Sequence, residues 1–203
     1  MSFKLPFYIP LHPFKGFWDM KYEKEGDIRL AFLILAAFIL ASVMHMTLTG
    51  FVVAGDVTNT VNIFWVAGGV LFIFGLFCIS NWCVTTLMQG EGNLKDICMA
   101  TAYALMPVVI FCIPLIIFSH VITYEEMAFY SFFLQLANVW AAGLLFIGIL
   151  TVHQYTVTRT IVTLILTAIV MAVIIYIMLL LFSLAQQIHV FFFTIYEELN
   201  MRR

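Results

Sequence analysis

Charge is what this sequence has least of. Only 10% of its 203 residues are Asp, Glu, Lys or Arg, while 64% are hydrophobic, and the mean hydropathy is +1.09. A soluble domain is about a quarter charged and about half apolar. A chain of this length could not hide so much apolar surface in one water-soluble core, so lipid is the solvent that fits. Nine Lys and Arg form no basic stripe, which argues against a nucleic-acid partner. Cysteine pairs are missing too. Cys78, Cys83, Cys98 and Cys112 fall in apolar stretches and form no CxxC, so they are read as small buried apolar residues, with neither a disulfide framework nor a zinc site. The phosphate-cradling patterns GxxxxGK[ST] and GxGxxG are absent, as are HExxH, GxSxG and any buried carboxylate pair. No catalytic residue, metal or cofactor is expected, and the chain is read as non-enzymatic. Residues 1–27 lack a continuous apolar core followed by a cleavage site, so the first hydrophobic helix is expected to act as the membrane signal.

What is present is a series of long apolar runs: 28–53, 63–88, 97–118, 127–151 and 160–184. About 20 residues at about 1.5 Å each cross a hydrocarbon layer about 30 Å thick. The expected fold is therefore all-α: a polytopic integral membrane bundle of five transmembrane helices. Residues 1–27 precede it as an interfacial segment and 185–203 follow it. The links AGDVTNTVN, GEGNLKD, HVITYEE and HQYTVTR are short, which makes sequence neighbours antiparallel neighbours in space.

Placement of cations sets the orientation. With the N-terminus cytoplasmic, Lys4, Lys15, Lys21, Lys24, Arg29, Lys95 and Arg159 lie inside, and only Arg202 and Arg203 lie outside with the C-terminus. The terminal stretch QQIHVFFFTIYEELNMRR is too short in apolar content for a sixth crossing. It either prolongs the fifth helix past the lipid or lies along the outer surface. The aromatic, lysine-interleaved N-terminus suits the headgroup layer or forms a loosely ordered tail. With its neighbour loop it supplies the expected cytoplasmic docking residues Trp18, Lys21 and Arg159.

The cores of the five runs contain no ionisable Asp, Glu, Lys or Arg, which argues against proton coupling or a strongly charge-selective pore. Uncharged polar residues remain: His45 with Thr49, Asn81 with Thr85 beside Trp82, and Gln135 with Asn138. Each pair shares a helix face. Interhelical hydrogen bonding is the expected use, and lining a cavity the alternative. The small-residue pairs Ala100/Ala104, Ala137/Ala141 and Ala168/Ala172, with Gly68, Gly69 and Gly75, allow close helix approach. Pro107 and Pro114 should bend the third span. Gly90 is placed to end the second helix in the left-handed conformation, and Asn93 with Asp96 to cap the third.

Three of these stretches, HPFKGFWDMKYEKEG (12–26), NWCVTTLMQGEGNLKD (81–96) and ATAYALMP (100–107), resemble bacterial members of the Yip (Ypt-interacting protein) domain family of five-span membrane proteins. AFYSFF and TVHQY are similar too, so the resemblance covers nearly the whole chain. It implies that Asn81, Trp82, Gly90, Gly92, Lys95, Asp96, Tyr103 and Pro107 carry the family motif, with Tyr103–Pro107 matching its Tyr-x-Leu…Pro signature. Eukaryotic relatives bind small Rab-type GTPases through a longer N-terminus with a DLYGP-like motif. Here only Trp18-Asp19 stands in that region, so a small GTPase is not expected as a partner. The resemblance implies a bacterial plasma-membrane protein, surrounded by lipid. It would serve as a scaffold or accessory subunit for other integral membrane proteins, such as a sugar-importing ABC system, or for itself. The competing expectation is a transporter, channel or lipid-moving protein for an uncharged or lipid-like substrate.

Overall fold

In a computed structural model, which describes residues 5–54 and 62–201, every element is helical. Lys4, Arg202, Arg203 and most of the first link lie outside the described residues. Two short helices, α1 (Leu5–Tyr8) and α2 (Pro13–Lys21), precede α3 (Ile28–Leu48) and the single turn α4 (Phe51–Ala54). Then come α5 (Ile63–Leu87), α6 (Leu94–Ala104), α7 (Met106–Ser119), a 3-10 turn at Tyr124–Glu126, α8 (Met127–His153) and α9 (Val157–Met201). With α6 and α7 taken as one crossing, five helical segments are long and apolar enough to span a membrane. The chain is a multi-pass membrane protein.

Polar residues mark where the helices begin. The Asp27 carboxylate accepts from the Arg29 N–H at 2.8 Å, and Asn62 Oδ1 from the Phe64 N–H at 3.0 Å. Asp96 reaches back to the Asn93 N–H at 3.1 Å, and Glu126 to the Thr123 N–H at 3.2 Å, the return half of a capping box. The first span ends five residues short of its expected limit, because Gly50 turns the chain against α7. Its N–H donates to Ser119 Oγ at 2.8 Å, and a Cβ there would overlap the Ser119 carbonyl. The third span starts at Leu94 and is broken at Leu105. Pro107 has no N–H to offer the Tyr103 carbonyl, so the helix restarts instead of bending gently, while Pro114 is held inside α7. The terminal stretch prolongs the fifth helix: α9 runs for 45 residues without interruption, about 67 Å at about 1.5 Å per residue.

Helix α7 packs between α3 and α8, and α6 packs against α3, α5 and α8, while α5 pairs with α9 at the periphery. The largest core lies at the end of the bundle that carries Lys21 and Gln154. It joins α6, α8 and the N-terminal segment through Ile9, Phe17, Met20, Ala100, Tyr103 and Leu144. Phe17 is fully buried, and its ring lies 3.1 Å from where a Cβ on Gly148 would stand. The N-terminal segment is thus part of the fold. It follows α8 from Gln154 and Tyr155, beside Trp18, to Leu136 and Trp140, beside Phe7, a drop of about 25 Å along the helix.

The small residues divide. Ala100, Ala104, Ala137 and Ala141 are buried as close packing requires, but Ala168 and Ala172 are exposed. A Cβ on Gly68, Gly69 or Gly75 would meet nothing within 4 Å. Of the cysteines, Cys78 and Cys112 are buried, Cys98 is half-buried, and Cys83, expected inside, faces outward.

Candidate functional site

The motif residues converge on one end of the bundle. There the α5–α6 link, the α8–α9 link and the end of α2 form a hydrogen-bonded clamp. α5 stops at Gln89, which takes the left-handed conformation (φ 54°), and α8 stops the same way at Gln154 (φ 53°). Gly90, expected to supply that turn, has a different task. A Cβ on it would overlap His153 Nδ1 and come within 2.6 Å of Tyr155 Oη. Gly92 is pressed as closely, 2.6 Å from Val152 Cγ1 and 2.7 Å from His153 Cε1 at its Cβ position, and its N–H donates to His153 Nδ1 at 3.2 Å. Two glycines therefore admit one loop against the other. They are needed for space.

Cations seal the helix ends. Lys21 Nζ donates to the Val152 carbonyl near the C-terminus of α8 and to Tyr22 Oη at 3.0 Å, and stands 4.0 Å from Glu91. Tyr22 Oη donates to Glu91 at 3.2 Å and accepts from Gln154 at 2.8 Å. The Arg159 guanidinium donates to the Met88 carbonyl at the end of α5 and lies 4.5 Å over the Tyr155 ring. Tyr155 Oη donates to the Met88 carbonyl at 3.3 Å. Burial raises its phenol above the ordinary tyrosine range, with the Arg159 charge opposing, so it stays a donor at neutral pH. Of the three residues expected at a docking surface, Lys21 is turned inward and Arg159 is engaged within the chain. Trp18 remains half-exposed, its ring 4.3 Å from that of Tyr22.

The other motif residues brace the core behind this clamp. Asn81 is fully buried and donates to Thr167 Oγ1 at 3.1 Å, the expected interhelical bond. Its Oδ1 has no partner among the described residues, and neither do Ser80 Oγ, Thr151 Oγ1 and His153 Nε2. Tyr103, also fully buried, donates from Oη to the Asp27 carbonyl at 3.3 Å and ties α6 to the start of α3. Pro107 is buried where α7 begins. Asp96 caps α6, Lys95 is exposed beside it, and Trp82 faces outward.

Gln135 and Asn138 depart from the expected interhelical bonding, although Asn138 does line a cavity, the alternative reading. Neither bonds across helices: Asn138 donates to the Leu134 carbonyl of its own helix at 2.9 Å, and Gln135 lies on the exposed face. His45 does cross, with Nε2 2.6 Å from Tyr130 Oη, at the opposite end of the bundle. Thr49 turns back to the His45 carbonyl. No individual role was expected of Tyr130, His153 and Tyr155, although they lie in the family-like stretches AFYSFF and TVHQY, or of the buried row Thr160, Thr163 and Thr167. The threonine row was visible as hydroxyls three and four apart in an otherwise apolar run. The rest depend on contacts more than 60 residues apart.

Among the described residues no three His, Cys, Asp or Glu gather as metal ligands would. The clamp can rigidify one end of the bundle and present Trp18, Lys95 and the adjoining loops. A family model described as the Yip1 domain matches residues 7–185. No curated protein and no solved structure matches.

Proposed function

The chain belongs to the Yip1 domain family, and from that premise we propose that it is a non-enzymatic membrane scaffold or accessory subunit. In this reading it binds the helices of another integral membrane protein through the α5–α9 side of the bundle. Its N-terminal segment and clamp face the cytoplasm, and its membrane is the bacterial plasma membrane. A subunit of an ABC-type importer is the partner class to which the resemblance points.

One observation carries the proposal. From Ile175 to Met201 every described side chain of α9 is exposed, and beside it Gly68, Gly69 and Gly75 of α5 meet empty space. Small residues without an internal neighbour offer a backbone surface that a partner helix can approach closely. Moreover, a helix of about 67 Å outruns the roughly 30 Å hydrocarbon layer. Phe191, Phe192 and Phe193 near its far end, each more than half exposed, would then need a protein surface to cover them.

Purification in mild detergent from the native membrane, with mass spectrometry of the companions, tests this. A companion membrane protein at near-equal stoichiometry is expected, and it should be lost on Gly69→Leu although the chain itself folds. Recovery of the chain alone, or a companion indifferent to Gly69→Leu, overturns the proposal.

A further inference from the structure

At the end opposite the clamp, α3 and α8 stand apart with α7 behind them, leaving a groove of about 220 Å³. Ala41, Cys112, Leu115 and Ala137 form its buried floor, and the small alanines and cysteine create the space. Met46 and Asn138, both exposed, stand at its mouth, so it opens sideways along the spanning helices. The 2.6 Å bond between His45 and Tyr130 bridges the two walls and closes one end.

This groove carries polar capacity that the protein does not use. The amide nitrogen of Asn138 is committed to the Leu134 carbonyl, but its carbonyl oxygen accepts from no described residue. Ser42 donates to the Phe38 carbonyl and keeps its lone pairs. His45 uses Nε2 on Tyr130, and no described residue bonds its Nδ1. Among the described residues no Asp, Glu, Lys or Arg lines the groove. Ser42 lies six residues from the end of α3 and Asn138 eleven from the start of α8, about 9 and 16 Å along their helices. With the helix ends at the hydrocarbon boundary both lie below the headgroup layer, where an unpaired amide is costly and a charged headgroup would be more so.

We propose that the groove binds an uncharged lipid with a hydroxyl head, a diacylglycerol or a long-chain alcohol. The lipid would donate its hydroxyl to Asn138 Oδ1 and lay a chain over Ala41 and Ala137. An ordinary phospholipid chain fills the apolar floor but leaves the amide oxygen unpaired, and its charged head cannot descend to pair it. The volume is below that of a drug-sized site and suits one segment of a lipid. This site is separate from the α5–α9 surface, so it stands or falls independently of the scaffold reading.

The test is photolabelling of the whole chain in phosphatidylcholine vesicles. Trace amounts of diazirine-bearing diacylglycerol, long-chain alcohol or phosphatidylcholine are compared, with peptide mapping. The two hydroxyl lipids are expected to label α3, α7 and α8 peptides, and whichever labels more is the closer ligand, while phosphatidylcholine labels the outer faces generally. Asn138→Leu, at the exposed mouth, should lower groove labelling by about fivefold, the worth of one hydrogen bond. Ala137→Phe should abolish it by filling the floor. Equal groove labelling by phosphatidylcholine, or labelling unchanged in Asn138→Leu, overturns the proposal.

Discussion

Helix α6 buries seven of its eleven side chains although it carries Lys95 and Asp96 in its first turn. Helix α9, more than four times as long and far more apolar, buries only Thr160, Thr163 and Thr167 among its described residues. In water the more apolar helix would be the more buried one. In lipid an exposed leucine costs nothing, so burial is decided by what lets helices approach and bond. The residues α6 hides include three alanines, a threonine and a tyrosine. The three residues α9 hides are all threonines, and one of them receives the Asn81 amide. In these two helices small size and hydroxyls, more than hydrophobicity, separate the buried positions from the exposed ones.

The sharpest way to break that contrast is to add bulk at two glycines of α5 and its following loop. Gly92→Val would place methyl groups in Val152 and His153 and should destabilise the chain by about 3 kcal/mol, the upper range for overpacking. Gly69→Val meets nothing and should leave the unfolding midpoint in detergent where it is. Equal losses would show that α5 is covered by parts of the chain that these helices do not display.

The threonine row gives a smaller effect. Thr167→Val keeps the shape, removes the acceptor for Asn81 and leaves that amide buried without its partner. A loss of about 1 kcal/mol is expected, against none for Thr194→Val on the exposed end of α9, where only the Val190 carbonyl of the same helix is bonded. Reversible unfolding in mixed detergent measures both. Smaller again, and opposite in sign, is Gln89→Gly. Gln89 holds φ 54°, and its side chain bonds to no described residue. Relief of about 1 kcal/mol of left-handed strain, less the added freedom of glycine when unfolded, should leave the variant about 0.5 kcal/mol more stable.

Much of the fold was legible because apolar run length is a one-dimensional signal. Five spans were legible as runs, but the first stopped at Leu48 where Gly50 turns the chain, Pro107 cut the third and α9 ran on. The family motif was legible as residues but not as a device. Gly90 looked like a helix stop when read locally, and only the return of the chain at His153 and Tyr155 reveals that it is a space-maker. Lys21 looked like a surface cation. That its amine seals the end of α8, 131 residues away, depends on tertiary packing that no local pattern encodes. The depth of the N-terminal segment was hidden for the same reason, since Ile9 and Phe17 are buried by α6 and α8 and not by any period of their own.

The smallest expected effect is the most informative about α9. Ile177→Ala and Leu179→Ala change side chains about half exposed or more, far from the threonine row, so within an isolated chain each should shift the unfolding midpoint by less than about 0.5 kcal/mol. If α9 faces only lipid, the same pair should also leave co-purifying proteins unchanged. If it is the surface of a complex, the double variant should release the companion while the chain stays folded. A large loss of stability in the purified chain would instead mean that α9 folds back onto its own bundle. The separation between buried α6 and bare α9 would then hold for one conformation of the chain and not for the protein in its membrane.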